Sequence, residues 1–145
     1  SSKCIFCLPR IEEGVAPACA RQCPGRLRFV GYRDDAQGPI AKLVDEWGVA
    51  LPLHPEWGLG PNVFYVPPMS PPLLDARGLP TGEPRIPLSY LVSLFGPQVE
   101  QSLATLHAER DKRKRDEPSA LMDLLIAYDW NENFKLEPQQ REVFP

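Results

Sequence analysis

The apolar residues follow different periods in different stretches of the chain. Residues 26–32 (RLRFVGY) alternate polar and apolar, the two-residue period of a strand, with Leu27 and Phe29 turned inward and Arg26 and Arg28 on the opposite side. Asp34 and Asp35 open a turn. Gly38 and Pro39 then start a helix through Trp47, with Ile40, Leu43, Val44 and Trp47 on one face and Gly48 as its stop. VFYV at 63–66 reads as a short strand. Helical spacing returns at Leu88, Leu91, Val92 and Phe95, breaks at Gly96-Pro97, and resumes at Val99, Leu103 and Leu106. The run Lys112–Arg115 suits that helix's C-terminal end, where cations meet the negative end of the dipole. A last helix is expected over 118–129, with Pro118 near its first turn and Leu121, Leu124, Leu125 and Tyr128 on one side. The remainder to Pro145 reads as a tail.

Proline changes this picture. There are 18 prolines in 145 residues, against a usual ~5%. Each interior proline breaks a helix ladder, so a long helical bundle is excluded. Seven of them fall between Pro67 and Pro87, together with two glycines, and predict an extended loop there. That stretch also carries Met69, Leu73, Leu74, Leu79 and Ile86, more large apolar groups than a disordered linker needs. It reads as an arm that wraps a surface, its own or a partner's. With 43% hydrophobic and 24% charged residues, the composition is that of a soluble globular chain. No run of 18 apolar residues predicts a membrane span, and no signal peptide is expected. A net charge of −3 argues against nucleic-acid binding.

All four cysteines lie in the first 23 residues: Cys4, Cys7, Cys19 and Cys23, spaced C-x2-C-x11-C-x3-C, with Pro24 after the last. A disulfide framework spreads its cysteines to staple distant loops; clustering of this kind reads as a metal site. Residues 1–33 carry six cations against Glu12 and Glu13, net +4, which leaves −7 for the rest. A cluster with its thiolate ligands is anionic, and nearby cations offset that charge and raise its reduction potential. Zinc accepts two cysteine pairs of these spacings and predicts a self-contained four-cysteine site. Iron–sulfur clusters also take four thiolates. Cys19-x3-Cys23-Pro24 matches the end of the bacterial ferredoxin run C-x2-C-x2-C-x3-C-P, whose fourth cysteine serves the other cluster. An 11-residue insertion replaces the two residues between the second and third cysteines. On the ferredoxin reading Cys4, Cys7 and Cys19 supply three ligands, and the fourth must come from a longer polypeptide or a partner. A two-thiol redox pair at Cys4 and Cys7 fits the spacing, but nothing marks a thioredoxin-like βαβ unit.

At this point a resemblance is visible. KCIFCLPRIEEGVAPACARQCPGR (residues 3–26) resembles the last cysteine motif of the iron–sulfur beta subunits of molybdenum oxidoreductases. The group is the nitrate, selenate, chlorate and perchlorate reductase, dimethylsulfide dehydrogenase and ethylbenzene dehydrogenase branch of the dimethyl sulfoxide reductase family. The similarity continues through VALPLHPEWGLGPNVFYVPPMSP (49–71), RIPLSYLVSLFG (85–96) and LMDLLIAYDW (121–130), and so covers the C-terminal part of such a subunit. It implies an α+β fold: part of a ferredoxin-like module over 1–33, a helix and proline-rich wrapping segment over 34–87, and a helical extension and tail over 88–145. It implies that Cys4, Cys7 and Cys19 hold one 4Fe–4S cluster with a cysteine outside this chain, and that Cys23 completes a second. Arg26 and Arg28 are candidates for cluster tuning or partner binding. The implied function is electron transfer, with no catalytic centre in this chain. Molybdenum, with two pterin guanine dinucleotides, is expected in an alpha subunit. The rest of the beta subunit and a haem b gamma subunit are the other expected partners. The bacterial periplasm is the expected compartment, with the cytoplasmic face of the inner membrane as alternative. A zinc-binding four-cysteine interaction module is the competing reading.

Other chemistry-bearing residues have plainer roles. His54, between two prolines, suits a structural hydrogen bond, and His107 a solvated helix face. Trp47, Trp57 and Trp130 suit core or interface anchors. Asp34 and Asp35, adjacent at a strand end, suit helix entry better than paired acid–base work. No Ser-His-Asp set, P-loop or G-x-G-x-x-G is present.

Overall fold

The computed structural model describes residues 3–126. They form an α+β structure of helices and one small antiparallel sheet. They divide into two compact units, 3–42 with 120–126, and 43–119. Among the described residues no helix is long and apolar enough to cross a membrane.

In the first unit the insertion between the cysteine pairs is ordered. It builds α1 (Leu8–Glu12), which begins where the Cys7 carbonyl accepts the N–H groups of Arg10 (2.8 Å) and Ile11 (3.2 Å). Pro9 lies in its first turn, where a missing N–H is no loss. Gly14, at φ 70°, closes the helix. Its N–H and that of Val15 return to the carbonyls of Ile11 and Arg10, each at 2.8 Å, a cap that requires a left-handed residue. The Arg10 Nε donates to the Ala16 carbonyl at 3.2 Å and ties the far end of the insertion to its start. After Pro17 comes α2 (Ala18–Arg21), the helical turn expected before Cys23. Ala16 and Ala20 are buried, with Val30 packed on them.

The strand expected over 26–32 is absent: this stretch is irregular and is not part of the described sheet. Leu27, expected inward, is 79% exposed. Alternation supplies one face of a strand, but a strand also needs a ladder partner for its backbone groups. Asp35 forms the expected turn into the helix. The Asp35 carboxylate accepts the Gln37 N–H at 3.1 Å and its carbonyl accepts the Gly38 N–H at 2.9 Å. The expected helix starts as α3 (Pro39–Ala41) and widens into a π turn over Lys42–Glu46. Gly48 follows at φ 61°. The last helix, α6 (Ala120–Ile126), buries Leu121 and Met122. The expectations for 127–129, Trp130 and the tail lie outside the described residues.

The second unit is built on α4 (Leu88–Phe95) and α5 (Val99–Lys114), broken at Gly96-Pro97 as expected. Leu91, Phe95 and Val99 form its core with Leu51, and Ile86, Val92, Leu94 and Leu103 pack around them. Leu51 also pairs with Tyr65 through two backbone hydrogen bonds (2.9 and 2.8 Å), so the strand expected at 63–66 is reduced to a single bridge. The Ser102 hydroxyl donates to the Gly48 carbonyl at 2.6 Å.

The expected loop 67–87 contains a hairpin, β1 (Pro72–Leu74) with β2 (Pro80–Pro84), exposed on both strands. Its turn explains it. The Asp75 carboxylate accepts the N–H groups of Arg77 and Leu79, each at 2.8 Å, and Gly78 takes the left-handed position at φ 77°. In a two-stranded sheet both strands are edges, where proline is tolerated.

Candidate metal centre

The C-x2-C segment turns through two consecutive left-handed residues, Phe6 (φ 57°) and Cys7 (φ 53°). This turn brings the Phe6 N–H to 3.3 Å from the Cys4 sulfur. Cys7 is partly buried at the start of α1, while Cys4 is exposed. Cys19 is exposed on α2, and Cys23 follows that helix with its own N–H on the Ala20 carbonyl at 3.3 Å.

Cys23 has the most developed surroundings. The backbone N–H of Leu27 holds its thiol below the usual value, helped by the N–H groups of Gly25 and Arg26 and by the charge of Arg28, against a desolvation that pushes it up. The chain bends tightly enough to aim these amides because Arg26 adopts φ 51° and donates its N–H to the Cys23 carbonyl at 3.0 Å. The Arg28 guanidinium lies 3.5 Å from the Cys19 carbonyl oxygen. Of the two arginines singled out from sequence, Arg28 brings its guanidinium to the Cys19 carbonyl, and the Arg26 backbone N–H donates to the Cys23 carbonyl.

All four cysteines are free thiols. Among the described residues, no three metal-ligating side chains are gathered around one point. The four thiols are therefore not drawn together as a self-contained zinc site would have them, and Cys4, Cys7 and Cys19 are not drawn together either. The donor chemistry nevertheless fits an iron–sulfur cluster: soft sulfur donors, amide N–H groups directed at Cys4 and Cys23, and surrounding positive charge. The amides were invisible in the sequence. Their only trace there is Pro24-Gly25, a turn signal.

His54 and Trp57 lie side by side. The His54 Nδ1 is 2.9 Å from the Glu56 carboxylate, and its ring stacks on Trp57 at 4.2 Å, with 9° between the planes. Its backbone N–H donates to the Leu94 carbonyl at 2.7 Å. Trp57 is 62% exposed and serves as the platform for His54; it is not a core anchor.

A family model described as "4Fe-4S dicluster domain" matches residues 1–33, the segment that holds all four cysteines. This places the match on the iron–sulfur side of the choice that spacing left open, and zinc is not favoured. The beta subunit of dimethylsulfide dehydrogenase from Rhodovulum sulfidophilum is 55% identical over 136 residues, 94% of this chain and 42% of that protein. The selenate reductase beta subunit of Thauera selenatis is 58% identical over 130 residues, 88% of this chain and 40% of that protein. The respiratory nitrate reductase beta subunit of Haloferax mediterranei is 50% identical over 143 residues, covering 94% and 41%. The chain thus spans about two fifths of the length of these relatives. From the cysteine segment to its last helix, it belongs with the beta subunits of the dimethyl sulfoxide reductase family of oxidoreductases.

Proposed function

We propose that this chain carries electrons through 4Fe–4S clusters as part of the beta subunit of a multisubunit molybdenum oxidoreductase. The observation that carries the reading is the coincidence of the dicluster match with the four-cysteine segment, in which the Phe6 N–H faces the Cys4 sulfur. A 4Fe–4S cluster supplies one-electron chemistry when bound. Cys4, Cys7 and Cys19 hold one cluster with a fourth thiolate from outside the chain, and Cys23 ligates a second. Residues 1–33 form this part of a ferredoxin-like module; 34–87 and 88–145 form the wrapping arm and the helical extension. The protein's own work is positional. Gly14 and Arg10 shape the insertion between the cysteine pairs, and the amides of residues 25–27 stabilise negative charge on the Cys23 sulfur.

The substrate site, with molybdenum and its pterin guanine dinucleotides, belongs to an alpha subunit, and a haem b gamma subunit accepts or delivers the electrons. Relatives at 50–58% identity include the beta subunits of a dehydrogenase and of selenate, chlorate, nitrate and perchlorate reductases. Such even similarity across different substrates and opposite directions suits a relay that never touches substrate. The proposed compartment is the periplasm, with the cytoplasmic face of the inner membrane as the alternative; fractionation of the intact complex distinguishes them.

The test is anaerobic EPR of the intact complex with single cysteine substitutions in this chain. Cys4→Ser and Cys19→Ser are expected to remove or alter the same cluster signal, and Cys23→Ser a different one. A native complex holding stoichiometric zinc at these cysteines and no iron would sink the reading. Loss of one and the same signal in every variant would overturn the division of ligands.

A further inference from the structure

The loop 53–65 is tightly built yet uncovered. Leu51 and Tyr65 bridge its base, and the His54 backbone N–H holds it to the Leu94 carbonyl at 2.7 Å. Pro55–Trp57 form a short helical turn. It is closed by the N–H groups of Trp57 and Gly58 on the carbonyls of His54 and Pro55, each at 3.1 Å. The stacked His54 ring backs the indole. These contacts fix Trp57 while leaving it outside. Leu59, between Gly58 and Gly60, is 77% exposed, and Leu53 and Val63 on the two arms of the loop are exposed as well.

Charge narrows what covers this surface. Residues 47–74 carry one charged side chain, Glu56, in a chain that is 24% charged. None of residues 52–66 is buried, so the shortage is not that of a core. Without a single Lys or Arg, the loop does not suit an anionic lipid surface or a nucleic acid, both of which are gripped by cations. Short-lived protein encounters are steered by charge, and electron-transfer contacts are small, so neither suits it. Depletion of charge with aromatic enrichment marks the core of a protein interface, and a tryptophan held in place is a frequent anchor there. On the proposed ligand division the rest of the beta subunit meets the cysteine segment, which lies in the other compact unit. We infer that the loop 53–65 is a permanent docking surface for the alpha subunit, with Trp57 seated in an uncharged, apolar pocket of that partner. This rests on the proposed function, which supplies the alpha subunit.

The test uses the intact complex carrying a photo-crosslinking benzoylphenylalanine in place of Leu59, or the substitutions Leu59→Asp, Trp57→Ala or Gln101→Ala. The crosslink is expected on the alpha subunit. Leu59→Asp places a charge on a side chain that is mostly in solvent in the free chain, so it spares the fold. It and Trp57→Ala are each expected to weaken retention of the alpha subunit by about 30-fold or more. Gln101→Ala, exposed on α5, should leave retention unchanged. If Trp57→Ala does not fold, Leu59→Asp and the crosslink decide. A crosslink to the gamma subunit, to another part of the beta subunit or to no protein would overturn the inference, as would undiminished retention in Leu59→Asp. Failure of the proposed function is recognisable separately, as a native complex that holds no iron.

Discussion

Ser102→Ala tests how the second unit is held together. Ser102 is 1% exposed, and its hydroxyl spans 54 residues to donate to the Gly48 carbonyl at 2.6 Å. That bond pins α5 to the turn that ends the π-widened helix, between two fully buried residues, Val49 and Leu106. Removing the hydroxyl forfeits the bond and strands a carbonyl in a partly buried place, a loss of about 1–2 kcal/mol. Alanine returns up to about 0.5 kcal/mol through its better helix propensity. The net destabilisation is about 1 kcal/mol, about a fivefold rise in local opening. Hydrogen exchange with mass spectrometry on the full subunit reads it directly. Peptides from α5 and from residues 48–51 should lose about fivefold protection together. Thr105→Ala is the control: its hydroxyl donates to the Gln101 carbonyl one turn back at 3.1 Å, a local bond that competes with the helix. Its protection should hold or rise. Equal losses in both variants, or none in Ser102→Ala, would refute the long-range pin.

Two further outcomes follow from the same unit. Gly96 sits at φ 76° and ψ 179°, a region open almost only to glycine, and a Cβ there would lie 3.1 Å from the Pro55 side chain. Gly96→Ala should therefore lower protection of α4 by the equivalent of about 1–3 kcal/mol, whereas an alanine at the exposed Gln98 should leave it unchanged. The Glu109 carboxyl is held below the usual range by hydrogen bonds from Lys112 and then Ser119. A carboxylate whose folded value is depressed contributes stability above its unfolded value, about 4.5, and loses it as pH falls through the folded value. Protection of 109–119, corrected for intrinsic exchange, should be flat from pH 7 to 5 and fall below about 4.5; in Glu109→Gln that fall should become smaller, the remainder coming from Asp111 and Glu117, whose carboxyls are lowered by Lys114 and Arg115.

The parts of the fold that local chemistry dictates were readable in advance. The break between α4 and α5 follows from Gly96-Pro97, since glycine accepts the positive φ that ends α4 and proline cannot donate an N–H. The entry to α3 follows from Asp35 and Gly38 in the same way. The strand at 26–32 was misread because alternation describes one strand, while a ladder needs a partner that those residues do not announce. The hairpin at 72–84 was missed for the reverse reason. Its prolines argued for a loop, and the Asp75–Gly78 turn that pairs the strands was the overlooked signal.

The same division runs through the candidate site. Identity and spacing of Cys4, Cys7, Cys19 and Cys23 carry the metal chemistry, because thiolate ligands are side chains and side chains are written in the sequence. The surroundings of those sulfurs are not written there. They consist of backbone N–H groups at residues 6 and 25–27, which every residue but proline possesses, and of one arginine chosen from several. Which amides point at sulfur depends on left-handed turns at Phe6, Cys7 and Arg26. The Arg28 guanidinium meets the Cys19 carbonyl only because the chain folds back across nine residues, which no local pattern announces.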